Sequence, residues 1–210
     1  MKKLILSLCG GSGSWESPYA AIPQEYRVIN ITLPENDVRT YNPPPGVYGV
    51  LAPPPCEAFS YARRTNGKQD KKYTMNLDEG LEIAAACLKV IEKCNPHFWA
   101  LENPYGDINR HLGKPQYIFQ PWQFGHWWTK KTCVWGNFNK PLETCTRETC
   151  PKLKLYTRPG RRMPSIAFLH KSAASMIPGF EPYLDYIKTD YDLRSITPPG
   201  FARAFFEANR

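Results

Sequence analysis

A chain of 210 residues suits a single domain, 1–210, with a substantial core. Hydrophobic residues make up 42% of it, and no run of about 18 apolar residues occurs, so neither a helical membrane span nor a membrane partner is expected. A net charge of +8, from 27 basic against 19 acidic residues, favours a polyanionic partner, while seven cysteines, an odd number on apolar or motif-like stretches, speak against a secreted disulfide framework and for a reducing cytoplasm.

MKKLILSLCGGSGSW superficially imitates a signal peptide, but its apolar run ends after about six residues in glycines, too short for a secretory segment. It predicts a buried strand feeding a glycine-rich turn, the expected start of an α/β sheet. YRVINITL, alternating and β-branched, predicts a second strand. NDVRTY leads into a proline-rich loop, and VYGVLAPP predicts a third strand ended by prolines that cannot donate to a ladder. NLDEGLEIAAACLKVIEKCNP is the clearest helix. Asn76 or Asp78 can cap it, acids fill its first turn, Leu81, Ala84, Ala85, Leu88 and Ile91 form an apolar stripe, and Asn95-Pro96 stops it. HFWALENP then predicts a strand with polar residues at its carboxyl end, joined to the previous one by a right-handed parallel crossover. Residues 105–165 are less regular and rich in Trp, Tyr, Pro and Lys. Within them PQYIFQPWQFG and KKTCVWGNF predict a β-hairpin or two further strands. From 170 to 210 the chain reads as partly helical, ending in TPPGFARAFFEANR. The expected fold is α/β, a mostly parallel doubly wound sheet with a small aromatic and basic insertion.

Three polar motifs fall at expected carboxyl ends of strands, where open α/β sheets bind ligands. Gly10, Gly11 and Gly13 allow close backbone approach to a nucleotide or an amino-acid carboxylate, and the absence of Gly-Lys-Ser/Thr excludes a Walker loop. Cys56 follows Pro53, Pro54 and Pro55, whose fixed φ values stiffen the loop, as suits a nucleophile that must be held in attack geometry; taken alone, a cysteine there reads first as a small buried hydrophobe. Glu102 ends the apolar run FWALEN, where a carboxyl group can serve as a proton donor or as a structural cap. Together a cysteine and a glutamate at neighbouring strand tips suggest nucleophilic addition assisted by protonation of the substrate.

With these residues the chain resembles the DNA cytosine-5 methyltransferases, and more narrowly a compact group of them in phages and prokaryotes. LAPPPCEAFS is similar to their Pro-Cys motif, ALENP to their Glu-Asn-Val motif with Pro104 in place of valine, and LSLCGGSGSW to the glycine-rich motif that receives S-adenosylmethionine. NDVRTY is similar to the motif contacting the cofactor's adenine, and TPPGFARAFFEAN weakly resembles the last family motif. The resemblance implies a Rossmann-like S-adenosylmethionine-dependent methyltransferase fold acting on DNA, in duplex form with the cytosine flipped out. It implies that Cys56 attacks C6 of cytosine while Glu102 assists at N3. On the same basis Leu8, Cys9, Gly10, Gly11, Gly13, Ser14, Trp15, Asn30, Asp37, Val38 and Pro54 would lie against the cofactor, and Pro55, Ser60, Asn103 and Pro104 against the substrate. Family members usually carry an acidic residue after the second strand for the cofactor ribose; Asn30 stands nearest that place here, and Glu35 would serve if its loop folds back. No Gln-x-Arg-x-Arg strand is evident, and Lys130 or Lys131 is taken as its substitute.

The short region after Glu102 makes 105–165 a reduced target-recognition region, with a protein partner as another source of recognition. RNA, single-stranded DNA or a nucleotide is the alternative substrate, and a noncatalytic nucleic-acid-binding relict the alternative class. QPWQFGHWWTKKTCVWGNFNK reads either as a grip on nucleic acid or as a tryptophan-rich layer over the sheet. RPGRR, with Arg161 and Arg162, reads as a phosphate-contacting loop. Cys133, Cys145 and Cys150 with His126 or His170 amount to four zinc ligands in number, but no C-x2-C pair is present and no metal is expected.

Overall fold

A computed structural model describes residues 1–60, 75–152 and 163–210, together with the backbone alone at 64–65 and 68–69. Arg161 and Arg162, and the whole of RPGRR with them, lie outside the described residues. The chain divides into two compact units: Met1–Ile118 with Thr132–Phe138, and Phe119–Lys131 with Asn139–Arg210. The span 105–165 contributes to both.

In the first unit, the apolar run after Lys3 forms β1 (Lys3–Leu8), followed by the short helix α1 (Ser17–Ala20) and β2 (Tyr26–Ile31). Next come β3 (Val47–Ala52) and a two-stranded ribbon of β4 (Arg64–Thr65) and β5 (Lys68–Gln69). Helix α2 (Leu77–Cys94) leads to β6 (Phe98–Pro104), then α3 (Asn109–Leu112), β7 (Tyr117–Phe119) and β8 (Thr132–Asn137). The main sheet has the order β2-β1-β3-β6-β8-β7. β2, β1, β3 and β6 run parallel, and β8 runs antiparallel to β6. The sheet is therefore mixed: four of its strands run parallel, in line with the mostly parallel sheet expected, while β8 departs from that arrangement. Parallel pairing needs a crossover that returns the chain across the sheet, usually a helix, and the only α-helix between β6 and β8 among the described residues is the four-residue α3. PQYIFQPWQFG and KKTCVWGNF thus supply two strands, β7 and β8, with a 3-10 turn at Pro121–Phe124 after the first.

Both faces of the sheet are covered. Leu4, Leu6, Leu8, Val50, Ala52, Leu101, Cys133 and Trp135 join one apolar cluster with Ile83, Ala84, Cys87, Val90 and Ile91 of α2. Against the other face Tyr19 of α1 stacks on Phe98 at 6.1 Å and meets Tyr26 edge-on at 5.2 Å. Asn76 caps α2 by accepting the Glu79 N–H at 2.8 Å, and Asn95 ends it in a left-handed conformation (φ 42°). The buried stripe of α2 is rotated from the expected one. Gly80, Ile83, Cys87 and Val90 are buried along with Ala84 and Ile91, Leu81 and Leu88 lie at the margin, and Ala85 is exposed. Small residues at the centre let the helix approach closely: a Cβ on Gly80 would stand 2.3 Å from Ala58 Cβ.

The second unit is built mainly from 3-10 turns, with α4 (Asp190–Ser195), held by a Thr189–Asp192 capping box, and α5 (Pro199–Ala208). Phe201 of α5 stacks on Phe119 at 3.8 Å, and Asn209 exchanges hydrogen bonds with Asn139. A second cluster gathers Trp127, Trp128, Cys150, Phe180, Leu193 and Ile196. No helix of the described residues is long and apolar enough to cross a membrane.

Candidate functional site

From β1 the chain passes to β2 on one side and then crosses to β3 on the other, so a topological switch point lies between β1 and β3. The glycine loop leaves the carboxyl end of β1, the Cys56 loop leaves β3, and Glu102 stands near the carboxyl end of β6, all within the first unit.

The glycine loop is a tight, internally bonded turn. Gly13 N–H donates to the Gly10 carbonyl at 3.0 Å, with Gly11 and Gly13 at φ 49° and 73°. Ser12 Oγ donates to Ser14 Oγ at 3.0 Å, and Ser17 Oγ to the Ser14 carbonyl at 3.0 Å. Cys9, although not glycine, has φ 63°; its N–H extends the ladder to Ile31, and its sulfur lies 4.0 Å from that of Cys87 on α2. Leu8, Trp15 and Val38 are buried side chains, Leu8 and Val38 in the core cluster. What Leu8 offers a ligand is therefore backbone. Asp37 is engaged by Arg39, whose guanidinium donates to both carboxylate oxygens at 2.6 to 3.0 Å and holds the carboxyl below its ordinary range. Glu35 is exposed on a turn closed by Asn36 N–H to the Thr32 carbonyl. Asn30 lies on β2 with its Oδ1 2.8 Å from the point where a Gly10 Cβ would be.

Sequence reasoning missed two residues beside it. Ser7 and Glu16 are 0% and 3% exposed, and their oxygens stand 2.2 and 2.8 Å from that same point. Burial pushes the Glu16 carboxyl up to about 7, an effect that its own backbone and the nearby Ser7 hydroxyl only partly offset. The sequence signals were slight: a serine within LILSL, and a lone acid in SWES.

Cys56 opens a 3-10 turn (Cys56–Ala58) directly after Pro55, and its carbonyl accepts the N–H groups of Phe59 and Ser60. Both flanks of this turn are tied to the chain around and beyond Glu102. Asn103 Nδ2 donates to the Pro54 carbonyl at 2.9 Å, and Asp107 N–H donates to the Phe59 carbonyl at 2.9 Å. Gly106 makes the second contact possible, since a Cβ there would fall 2.2 Å from the Phe59 oxygen. From below, Gly80 of α2 presses on Ala58, and Glu57 Oε1 accepts the Met75 N–H at 3.1 Å. Cys56 is half-buried, and Glu102 is buried at 8% exposure, paired in register with Val134 of β8. Pro54 is buried, while Pro55, Ser60 and Pro104 are half-buried.

Lys130 and Lys131 belong to the second unit. There the Lys130 ammonium donates to the Arg194 carbonyl at 3.1 Å. Of the aromatic-basic stretch, Trp127 and Trp128 are buried in the second unit's own cluster, Trp135 is buried on β8, and Trp122 is half-buried with the Arg147 guanidinium 5.4 Å from its ring centre. Among the described residues no three His, Cys, Asp or Glu side chains converge as metal ligands. Cys133 lies in the first unit beside Asn109, and the Cys145 and Cys150 thiols lie in the second.

No protein-family model matches the chain, and no curated protein matches it.

Proposed function

We propose that the chain is an S-adenosylmethionine-dependent methyltransferase of Rossmann-like fold that modifies C5 of cytosine in DNA. The observation that carries this reading is the double tie of the Cys56 turn, through Pro54 and Phe59, to the segment that holds Glu102. A nucleophile and a candidate acid on adjacent parallel strands, beside a switch point, are thereby held in one rigid assembly. The glycine loop fits a nucleoside cofactor: it is crowded where a Gly10 side chain would be, and it is bordered by buried oxygen acceptors at Ser7, Glu16 and Asn30.

The residues act in sequence on the base. The Cys56 thiolate adds to C6, forming an S–C6 bond, and the displaced electron pair makes C5 nucleophilic. Glu102 hydrogen-bonds or protonates N3, so the charge driven into the ring is neutralised there. S-adenosylmethionine supplies the electrophilic methyl group. Loss of the C5 proton then returns its electron pair to the ring, and Cys56 leaves C6 as the double bond re-forms. Asn103, by holding the Pro54 carbonyl, fixes the direction from which the sulfur approaches. In this reading residues 105–165 form a reduced target-recognition region, and Lys130, Lys131, Arg161 and Arg162 contact phosphates.

The test is methyl transfer from labelled S-adenosylmethionine to duplex DNA, single-stranded DNA, RNA and cytidine nucleotides, with the product located by mass spectrometry. Label at cytosine C5 of DNA, lost in Cys56→Ser, is expected. Transfer confined to RNA or nucleotide would move the substrate, and no transfer to any of them would overturn the reading.

A further inference from the structure

Beside Gly10 lies a polar nook that the fold leaves unsatisfied. Ser7 reaches it from β1, Asn30 from β2, and Glu16 from the chain after the glycine turn. Ser7 Oγ, Asn30 Oδ1 and Glu16 Oε1 all lie within 2.8 Å of the single point a Gly10 Cβ would occupy. These three atoms and Glu16 Oε2 are buried, and none has a hydrogen-bond partner among the described residues. Ser7 Oγ is near enough to Glu16 to lower its carboxyl in part, but without the geometry of a hydrogen bond. Four neighbouring buried oxygens in this condition need an explanation, because nearly all buried polar atoms in folded proteins are paired.

The chemistry of the nook selects its occupant. Above about pH 7, where Glu16 is ionised, the carboxylate and the amide oxygen are acceptors, and only the Ser7 hydroxyl brings a proton of its own. The group that completes it must therefore donate hydrogen bonds. An anion is excluded by the carboxylate, and a divalent cation is poorly served by one charged ligand out of three. In open α/β folds that bind nucleosides across the switch point, an acidic side chain about twenty residues after the glycine turn accepts from the ribose hydroxyls. Asn30, at about that spacing from Gly10, is neutral, and the carboxylate converging with it is Glu16.

We infer that Glu16 is the ribose-binding residue of this chain, accepting hydrogen bonds from the vicinal hydroxyls of the nucleoside cofactor with Asn30 at its side. The acid thus comes from the loop after β1 rather than from the end of β2. The assignment rests on the S-adenosylmethionine reading above and names a contact that reading leaves open.

Calorimetric titration with S-adenosylhomocysteine and its 2′-deoxy and 3′-deoxy analogues tests it. In the wild type, loss of a contacted hydroxyl weakens binding about tenfold or more, and Glu16→Gln weakens binding of the parent ligand by about the same factor. In Glu16→Gln the deoxy analogue then costs nothing further, because the contact is already gone. Equal affinity of wild type and Glu16→Gln for the parent ligand overturns the assignment, as does a deoxy penalty that survives undiminished in the variant; cofactor binding itself stands in either case. A wild type that binds no S-adenosylhomocysteine overturns this assignment together with the cofactor reading. Circular dichroism establishes that the variant is folded. Should Glu16→Gln fail to fold, Glu16→Asp, which withdraws the carboxylate by one methylene, must show the same weakening and the same loss of the deoxy penalty, and a wild-type profile there overturns the assignment.

Discussion

Glu16→Gln should make the protein more stable, and only above acid pH. The carboxyl is about 7 in the folded chain against 4.5 for the free group, with burial as the main cause. Below 4.5 it is protonated in both states and costs nothing. Between 4.5 and 7 the unfolded chain releases the proton and the folded chain keeps it, so stability falls as pH rises. Above 7 the cost has its full value. A difference of 2.5 pH units corresponds to roughly 3 kcal/mol at pH 8, and at pH 5 to less than about 1 kcal/mol. Glutamine has the same shape, carries no charge, and can donate to the Asn30 and Ser7 oxygens, so it should recover most of this. Urea unfolding of wild type and Glu16→Gln at pH 5 and pH 8, following the transition of the first unit, measures the difference directly. A stabilisation of roughly 2 to 3 kcal/mol at pH 8 that falls below about 1 kcal/mol at pH 5 is expected. An equal effect at both pH values, or a loss of stability at pH 8, would refute the picture of a buried, unpartnered acid.

Other substitutions probe the remaining supports. Asn103→Ala leaves the Pro54 carbonyl without its donor and should cost about 1 to 3 kcal/mol in urea unfolding, with methyl-transfer kcat falling more than KM changes. Gly80→Val drives a side chain into Ala58 and should destabilise by about 1 to 3 kcal/mol while slowing thiol modification kinetics or transfer at Cys56; unchanged stability would mean that α2 does not press on that turn. His126 in the second unit is held down to about 4 by burial, and its Nε2 accepts the Gly200 N–H at 3.0 Å. Its folded value lies below the unfolded 6.5, so its contribution is complete above pH 6.5 and is lost as pH falls through 4; His126→Gln should flatten that part of the acid-unfolding profile.

The parallel half of the fold was legible because each element carries its own local signal. LILSL and VYGVLA are apolar runs ended by glycine or proline, and α2 has a side-chain cap and a left-handed stop. The rotation of the α2 stripe was not legible, since Leu81 and Leu88 outweigh Gly80 and Cys87 in hydrophobicity, and close approach favours the smaller pair. Nor was the direction of β8, which depends on how short the helix between it and β6 turns out to be. At the site, the Pro-Cys and Glu-Asn motifs stood out by residue type. The ties through Asn103, Gly106 and Asp107 did not, because they join loops about fifty residues apart through a side-chain amide, a bare Cα and a backbone N–H. Glu16 escaped notice because a single acid beside a tryptophan looks like any surface charge until its burial is seen.

The most direct measurement is covalent trapping on DNA containing 5-fluorocytosine, where fluorine at C5 blocks the proton loss that would release the enzyme. With S-adenosylmethionine present, the account predicts a denaturant-resistant protein–DNA adduct whose mass includes the transferred methyl group, whose attachment maps to Cys56, and which is absent in Cys56→Ser. Absence of any adduct from the wild type, or an adduct that persists in Cys56→Ser, would contradict it.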